Sequence, residues 1–152
     1  MMATHVAAGA ATASLAATLG VLPVDAPLAA IAAAASLVPD IDHASSTLGR
    51  RLGPISWLLS KLAGHRTWTH SLWALGGWAW FWFSCAPFEF AATVTLGYAS
   101  HIAVDALTPK GVPLFNLRKR HSLRLARTGG VGEIPFLTVF SAVAVAPWLL
   151  LA

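Results

Sequence analysis

The chain has 152 residues, of which 57% are hydrophobic and 11% charged. A soluble domain of this size carries about a quarter of its residues as charged side chains. The composition therefore excludes an ordinary soluble domain and predicts one integral-membrane domain over residues 1–152. The single cysteine, Cys85, excludes an internal disulfide framework. The formal net charge of +4 fits Lys and Arg concentrated in cytoplasmic loops, so nucleic acid is not an expected partner.

Two Ala-rich segments open the chain. Residues 6–22 are apolar and rich in small side chains, which let membrane helices approach closely. His5 directly precedes this run. Residues 1–4 contain no Lys or Arg, so the basic start of a signal peptide is missing. Residues 26–38 are predicted to return as a helix of ~20 Å, short of a ~30 Å hydrocarbon core, and to end at Pro39.

The second segment runs into Pro39-Asp40-Ile41-Asp42-His43. Carboxylate oxygens and an imidazole nitrogen are donors that suit a divalent metal ion. The sequence therefore predicts Asp40 and Asp42 as metal ligands, with a solvated turn as the alternative.

Residues 48–62 place apolar side chains at helical spacing, with Arg50, Arg51 and Lys61 between them. This pattern predicts an amphipathic helix lying in the membrane interface, broken into two pieces at Gly53-Pro54.

A second polar group lies in the segment from Gly64 to Leu72. We predict His65 and Arg66 in a loop, Thr67 as the N-cap of the next helix and His70 in its first turn. Both imidazoles can then face one site, where Arg66 would bind an anion. The alternative is a pair of interfacial histidines held by backbone contacts.

Residues 68–86 and 88–107 are long enough to cross a membrane and are separated by Pro87. The returning helix ends with His101 and Asp105, which lie four residues apart and so share one helix face. A charged carboxylate at membrane depth costs at least ~2.5 kcal/mol, which makes a functional role the default interpretation.

A basic loop follows this helix and contains Arg118 and Arg120, which we predict to bind an anionic group of the substrate. The alternative is that the loop only sets orientation or binds anionic lipid headgroups. Glu133 then follows a glycine-rich run and precedes the final span, residues 134–151. It is a candidate metal ligand or general base.

If the spans cross in turn, one side of the membrane receives every histidine, four of the six acids and all ten Lys and Arg. The positive-inside rule makes this side cytoplasmic. The predicted architecture is an all-α, multi-pass helical bundle of about four to five membrane-embedded helices plus an interfacial amphipathic helix.

Taken together, these motifs resemble the YdjM-like family of bacterial and archaeal inner-membrane proteins, described as metal-dependent hydrolases. The resemblance runs from His5 to Glu133 and rests on three stretches of the sequence: Pro39 to His43 with Leu48 to Leu52, Gly64 to Arg66 with Thr69 to Ser71, and Ser100 to Asp105 with Thr108 and Gly111 to Leu114. It implies an inner-membrane location and metal-dependent hydrolysis.

A more distant similarity is to zinc-dependent phospholipase C and the P1-type nucleases, which are all-helical and bind a zinc cluster through His, Asp and a His-x-x-x-Asp pair. His101 and Asp105 match that pair. The similarity implies zinc, as one or more ions, with manganese or magnesium as alternatives.

The predicted function is a phosphoesterase acting on a phospholipid or another lipid-linked phosphate ester. Glu133 and Arg66 are the predicted catalytic residues, and the predicted metal ligands are His5, Asp40, Asp42, His65, His70, His101 and Asp105. Two alternatives stay open, a metal-ion transport or handling protein and a non-catalytic scaffold stabilised by metal, and the sequence leaves the oligomeric state undetermined. A transporter would continue polar residues across the membrane, whereas an open metal coordination position would favour hydrolysis.

Overall fold

The computed structural model describes residues 2–23, 25–43, 46–63, 68–125 and 131–150. In these ranges the chain forms seven α-helices and two short 3-10 helices, and the only pairing of extended backbone is an isolated bridge between Val112 and His121. The all-α prediction is confirmed for the described residues. The helices are α1 (Met2–Thr18), α2 (Ala26–Ala35), a 3-10 helix (Val38–Asp42), α3 (Thr47–Leu52), α4 (Pro54–Ala63), α5 (Leu72–Cys85), α6 (Phe88–Leu107), a second 3-10 helix (Val131–Glu133) and α7 (Ile134–Leu150).

Helices α1, α2 and α6 form the centre of the molecule and pack closely at one point. Gly9 of α1 and Gly97 of α6 both face the carbonyl oxygen of Ala32 in α2, and a Cβ atom at either glycine would clash with it. Small residues allow such close approach where lipid provides no hydrophobic drive between helices. Gly9 follows His5 by four residues and Gly97 precedes His101 by four, so the contact brings both histidines together one turn away.

Helices α5 and α7 flank this centre, with α5 against α6 and α7 against α1. The Thr4 hydroxyl donates to Glu133 Oε1 at 3.5 Å, and the Ser14 hydroxyl donates to the Ala144 carbonyl at 2.8 Å. Because both partners advance together along the chain, α1 and α7 run parallel. Glu133 therefore lies at the same end of the bundle as His5.

Two helix boundaries differ from the predicted ones. Helix α2 ends at Ala35 and is capped by Ser36, so Pro39 lies inside the following 3-10 helix and does not terminate α2. Helix α5 begins at Leu72, and its N-cap is Ser71, whose hydroxyl accepts from the Ala74 amide at 3.2 Å. The prediction that His70 lies in the first turn of this helix is therefore wrong, and His70 lies in the preceding turn. The predicted cap, Thr67, lies outside the described residues.

Two helical stretches are long and apolar enough to cross a membrane among the described residues, Phe88–Leu107 and Val131–Leu150. The first matches the predicted span from end to end. Helix α5 has 14 residues, ~21 Å of helix, which is shorter than a hydrocarbon core. Four to five membrane-embedded helices stay a prediction. The break at Gly53 between α3 and α4 is confirmed, whereas the interfacial position of these helices stays a prediction.

Candidate metal centre

Four separate elements bring histidine and aspartate side chains to one buried point. His5 comes from α1, Asp40 from the first 3-10 helix, His70 from the turn before α5, and His101 with Asp105 from α6. The histidines are at most 1% exposed and Asp105 is 3% exposed. Burial of polar and charged groups is costly unless they are paired or coordinate a metal ion. The buried polar groups of this cluster therefore require stabilisation, either by pairing with one another or by coordinating a metal ion.

The donor atoms of four of these residues are spaced like the ligands of one metal ion. His70 Nε2 lies 3.2 Å from His101 Nε2 and 3.4 Å from Asp105 Oδ2, while His101 Nε2 lies 3.7 Å from Asp105 Oδ2. Asp40 Oδ1 lies 3.8 Å from both Nε2 atoms. Ligands ~2.1 Å from a tetrahedral zinc ion are ~3.4 Å from one another. These five distances are close to the ligand spacing of a tetrahedral ion, and the donor atoms of Asp40, His70 and His101 all lie within 4.8 Å of one another.

The hydrogen bonds behind the two rings show which ring nitrogens are free to bind metal. His101 Nδ1 lies 2.6 Å from the Ser36 carbonyl oxygen, which can only accept, so Nδ1 carries the proton. The Thr69 hydroxyl donates to Asp42 Oδ2 at 2.7 Å, and it therefore accepts from His70 Nδ1 at 2.9 Å. In the neutral form of each ring, Nε2 is then the unprotonated nitrogen.

In that form two Nε2 lone pairs face each other across 3.2 Å, and neither can donate to the other. A cation between them removes this repulsion. A ring N–H bonded to a carbonyl or hydroxyl, with the other nitrogen aimed at a common point, is also how metal-bound histidines are held. The donor set of this cluster thus fits a divalent metal ion.

His5 supplies a further donor on the other side of Asp105. Its ring stacks on that of His101 with the ring centroids 3.8 Å apart, and its Nε2 lies 3.5 Å from Asp105 Oδ1. Among the described residues, neither ring nitrogen of His5 has a hydrogen-bond partner. His5, His101 and Asp105 form a second group whose donor atoms could hold a metal ion. Asp105 thus turns one oxygen toward His70 and the other toward His5.

Asp40 is the most accessible donor of the cluster, since its side chain is 18% exposed. The deeper donors, on α1, α6 and the turn before α5, are at most 3% exposed. Water or a substrate group would therefore reach the cluster from the side of Asp40.

The remaining predicted site residues lie at different places. Asp42 is buried and contacts Thr69, so it supports His70 from behind. Glu133 accepts from Thr4, the neighbour of His5, and is outside both donor groups. Arg118 and Arg120 are exposed and form no hydrogen bond or ion pair with the cluster in the described part of the chain. His65 and Arg66 lie outside the described residues.

The sequence interpretation missed three residues that orient the donors, namely Ser36, Thr69 and Tyr98. The Tyr98 hydroxyl donates to the Thr69 carbonyl at 2.6 Å and so fixes the turn that carries His70. Tyr98 is the only tyrosine, and it lies three residues before His101 on the same face of α6. That spacing was a signal available in the sequence. The role of the Ser36 carbonyl depends on where α2 ends and had no such signal.

Comparison with known proteins gives the family. A profile of the YdjM inner membrane protein family matches residues 1–149. The inner membrane protein YdjM of Escherichia coli (strain K12) is 43% identical over 88 residues, covering 51% of this chain and 43% of the relative, and the Shigella flexneri protein of the same name matches equally. The chain thus covers less than half the length of these two relatives.

A third relative is the uncharacterized protein YvsG of Bacillus subtilis (strain 168). It is 35% identical over 110 residues, covering 70% of this chain and 68% of the relative. No solved structure matches the chain. The profile match over nearly the whole sequence supports an inner-membrane location. The chain belongs to the YdjM inner membrane protein family.

Proposed function

We propose that the protein is a membrane-bound, metal-dependent phosphoesterase acting on a lipid or lipid-linked phosphate ester at the cytoplasmic face. The observation that carries the proposal is the approach of His70 Nε2 to His101 Nε2, 3.2 Å apart and flanked by two carboxylates, while both Nδ1 atoms are held by other partners. A cluster held together only by packing would orient ring N–H groups toward its carboxylates. In their neutral form the two rings instead turn their N–H groups away, toward Ser36 and Thr69.

Zinc is the proposed ion, with manganese or magnesium as alternatives, because two imidazoles and two carboxylates suit a borderline cation. When bound, such an ion would lower the pKa of its bound water toward neutrality and neutralise the charge that develops on a phosphoryl oxygen. The proposed ligands are the predicted set: His70, His101, Asp105 and Asp40 around one position, His5 on the far oxygen of Asp105, and Asp42 and His65 as further ligands or supports.

The chain's own residues would then bind and orient the substrate. Asp40 borders the accessible side of the cluster, where a phosphate group would enter. Glu133 is held beside His5 through Thr4 and is the proposed general base. Arg66, Arg118 and Arg120 are proposed to bind the anionic group. For Arg118 and Arg120, this binding requires their exposed loop to bring the side chains to the site.

The orientation of the site is part of the same proposal. The basic loop that follows α6 lies at the cluster end of the bundle, and its Lys and Arg residues favour a cytoplasmic position. We propose four to five membrane-embedded helices, with α3 and α4 in the interface. The short helices α2 and α5 would hold the cluster below the membrane surface.

The test compares Asp105→Asn with a matched control, Asp25→Asn. Asn keeps the shape of Asp105 but removes the charge that faces three imidazoles, whereas Asp25 lies in the opposite turn and makes no side-chain cap hydrogen bond. Purified wild type and Asp25→Asn should retain zinc at equal stoichiometry after desalting, and Asp105→Asn should lose it.

Activity is measured by incubating the three zinc-supplemented proteins with a bacterial polar lipid extract and following lipid products by mass spectrometry. The wild type and Asp25→Asn should convert at least one phosphate ester that Asp105→Asn leaves intact. Equal zinc content in all three proteins would refute the metal centre. If only Asp105→Asn loses zinc but all three proteins give identical lipid profiles, the phosphoesterase is refuted and the metal centre stays in place.

A further inference from the structure

An apolar groove lies on one side of the bundle, between α1, α6 and α7. A cavity of about 360 Å³ lies between residues 8–15, 100–107 and 139–143. A second cavity of about 450 Å³ lies between α6 and the start of α7. The two cavities share Leu107, Val139 and Phe140 as walls, so they adjoin one another, and the two together are the groove.

The groove has no free polar group on its walls. The two hydroxyls that line it, Thr12 and Ser100, donate to carbonyls of their own helices, at Gly9 and Gly97, over 2.8 and 2.7 Å. The remaining lining side chains are aliphatic or aromatic. Water would find no hydrogen-bond partner here, so a stable occupant must be apolar.

The groove opens toward lipid. Val139 is 59% exposed, and only 6% of the residues in the apolar window of the α7 span are buried. The walls combine the small side chains of Ala8, Ala11 and Ala103 with the larger Phe140. In a membrane protein of this family, the bilayer supplies hydrocarbon chains directly to such an opening.

The groove begins beside the metal cluster. Val104 lies between His101 and Asp105 in the sequence of α6, and Ala8 lies one turn beyond His5 on α1. The groove ends near Leu15, ten residues and therefore ~15 Å beyond His5. A hydrocarbon chain lying along it would place its polar end at the level of His5, Asp105 and Glu133.

We propose that this groove binds one hydrocarbon chain of the lipid-linked phosphate ester and so sets the depth at which the ester meets the cluster. The proposal rests on the proposed phosphoesterase function and makes the substrate class more specific. The substrate must carry a long, apolar chain attached near its phosphate, and water-soluble phosphate esters would be poor substrates.

The test uses dioleoyl phosphatidic acid with a diazirine in one acyl chain, added to protein in phosphatidylcholine vesicles. After irradiation, labelled residues are mapped by mass spectrometry. In the wild type, labels should concentrate at residues 100–107 and 139–143. Ala103→Phe fills the groove and should reduce this labelling at least fivefold, and Val139→Phe on the opposite wall should do the same.

The matched control is Ala142→Phe, which adds the same side chain to an exposed position of α7 outside the groove walls. It should label like the wild type, and zinc content should match the wild type in every variant that is folded. Labels spread evenly over the exposed face of α7, or unchanged in both groove variants, would overturn the proposal.

Lipid labelling requires no turnover, so the two proposals fail separately. Labelling confined to the groove with no lipid product would retain the chain site and reject the phosphoesterase. Turnover that is equal for dihexanoyl and dioleoyl phosphatidic acid, in the wild type and in Ala103→Phe, would retain the phosphoesterase and reject the groove.

Discussion

Replacing Thr69 by Val tests whether the cluster is built to hold a metal ion. Val keeps the volume of Thr but removes the hydroxyl that joins Asp42 to His70. The two lost hydrogen bonds measure 2.7 and 2.9 Å and end on a fully buried carboxylate and a buried imidazole. Without them, Nδ1 of His70 has no acceptor, and the ring can rotate or carry its proton on Nε2.

Loss of such a supporting hydrogen bond typically lowers metal affinity 10–100-fold, which is about 1.4–2.8 kcal/mol of binding free energy. We therefore expect the zinc Kd of Thr69→Val to rise by that factor, measured by competition with a chromophoric chelator in detergent. The fold should survive, because the backbone carbonyl of Thr69 still accepts from Tyr98.

The control is Thr93→Val, at a buried threonine on α6 two turns away from His101. In the described part of the chain its hydroxyl has no hydrogen-bond partner. Removing an unsatisfied buried hydroxyl is neutral or stabilising, so its zinc Kd should equal that of the wild type. Equal affinities for Thr69→Val and the wild type would show that the hydroxyl does not orient His70, and the assignment of Nε2 as a metal ligand would fail with it.

Two further predictions concern packing and topology. Gly97→Ala should lower the free energy of unfolding in a denaturant titration by about 1–3 kcal/mol because its Cβ meets the Ala32 carbonyl. Gly76 faces open space, so Gly76→Ala should raise it by up to about 1 kcal/mol through helix propensity. A gain in both variants would refute the close contact. Cys85 is exposed at the end of α5 away from the cluster, so a membrane-impermeant maleimide should label it in intact spheroplasts. In a Cys85→Ser background, a cysteine introduced by Lys119→Cys should be labelled only after the cells are permeabilised. The reverse pattern would place the cluster outside the cytoplasm.

The long, apolar segments of the fold could be predicted from the sequence because their ends are marked chemically. Residues 88–107 lie between Pro87 and Pro109, and the observed helix has the predicted bounds. The ends of α2 and α5 were misplaced for the opposite reason. Pro39 and Thr67 are good local signals, but tertiary hydrogen bonds decide both ends, since His101 uses the Ser36 carbonyl and Tyr98 uses the Thr69 carbonyl.

The sequence could indicate which residues share one side of the membrane, because spans that cross in turn bring every second connection to the same side. This places the five members of the cluster together, namely His5, Asp40, His70, His101 and Asp105. Alternation of spans places residues at a common depth but says nothing of their separation within the membrane plane. That separation depends on Gly9 and Gly97 meeting one carbonyl group, a contact between three helices that no local pattern encodes. Prediction from the sequence therefore reaches the members of the cluster, but not their geometry.

The chemical character of the cluster depends on still finer detail. The same five side chains could form ordinary ion pairs if each imidazole turned an N–H group toward a carboxylate, and such a cluster would need no metal. What separates the two cases for neutral rings is the direction of two protons, set by the Ser36 carbonyl behind His101 and the Thr69 hydroxyl behind His70. Both acceptors lie outside the donor set, and each comes from an element other than α6. The metal-binding character of this site is therefore a property of the packing around the histidines, and substitutions behind the rings are the most direct way to test it.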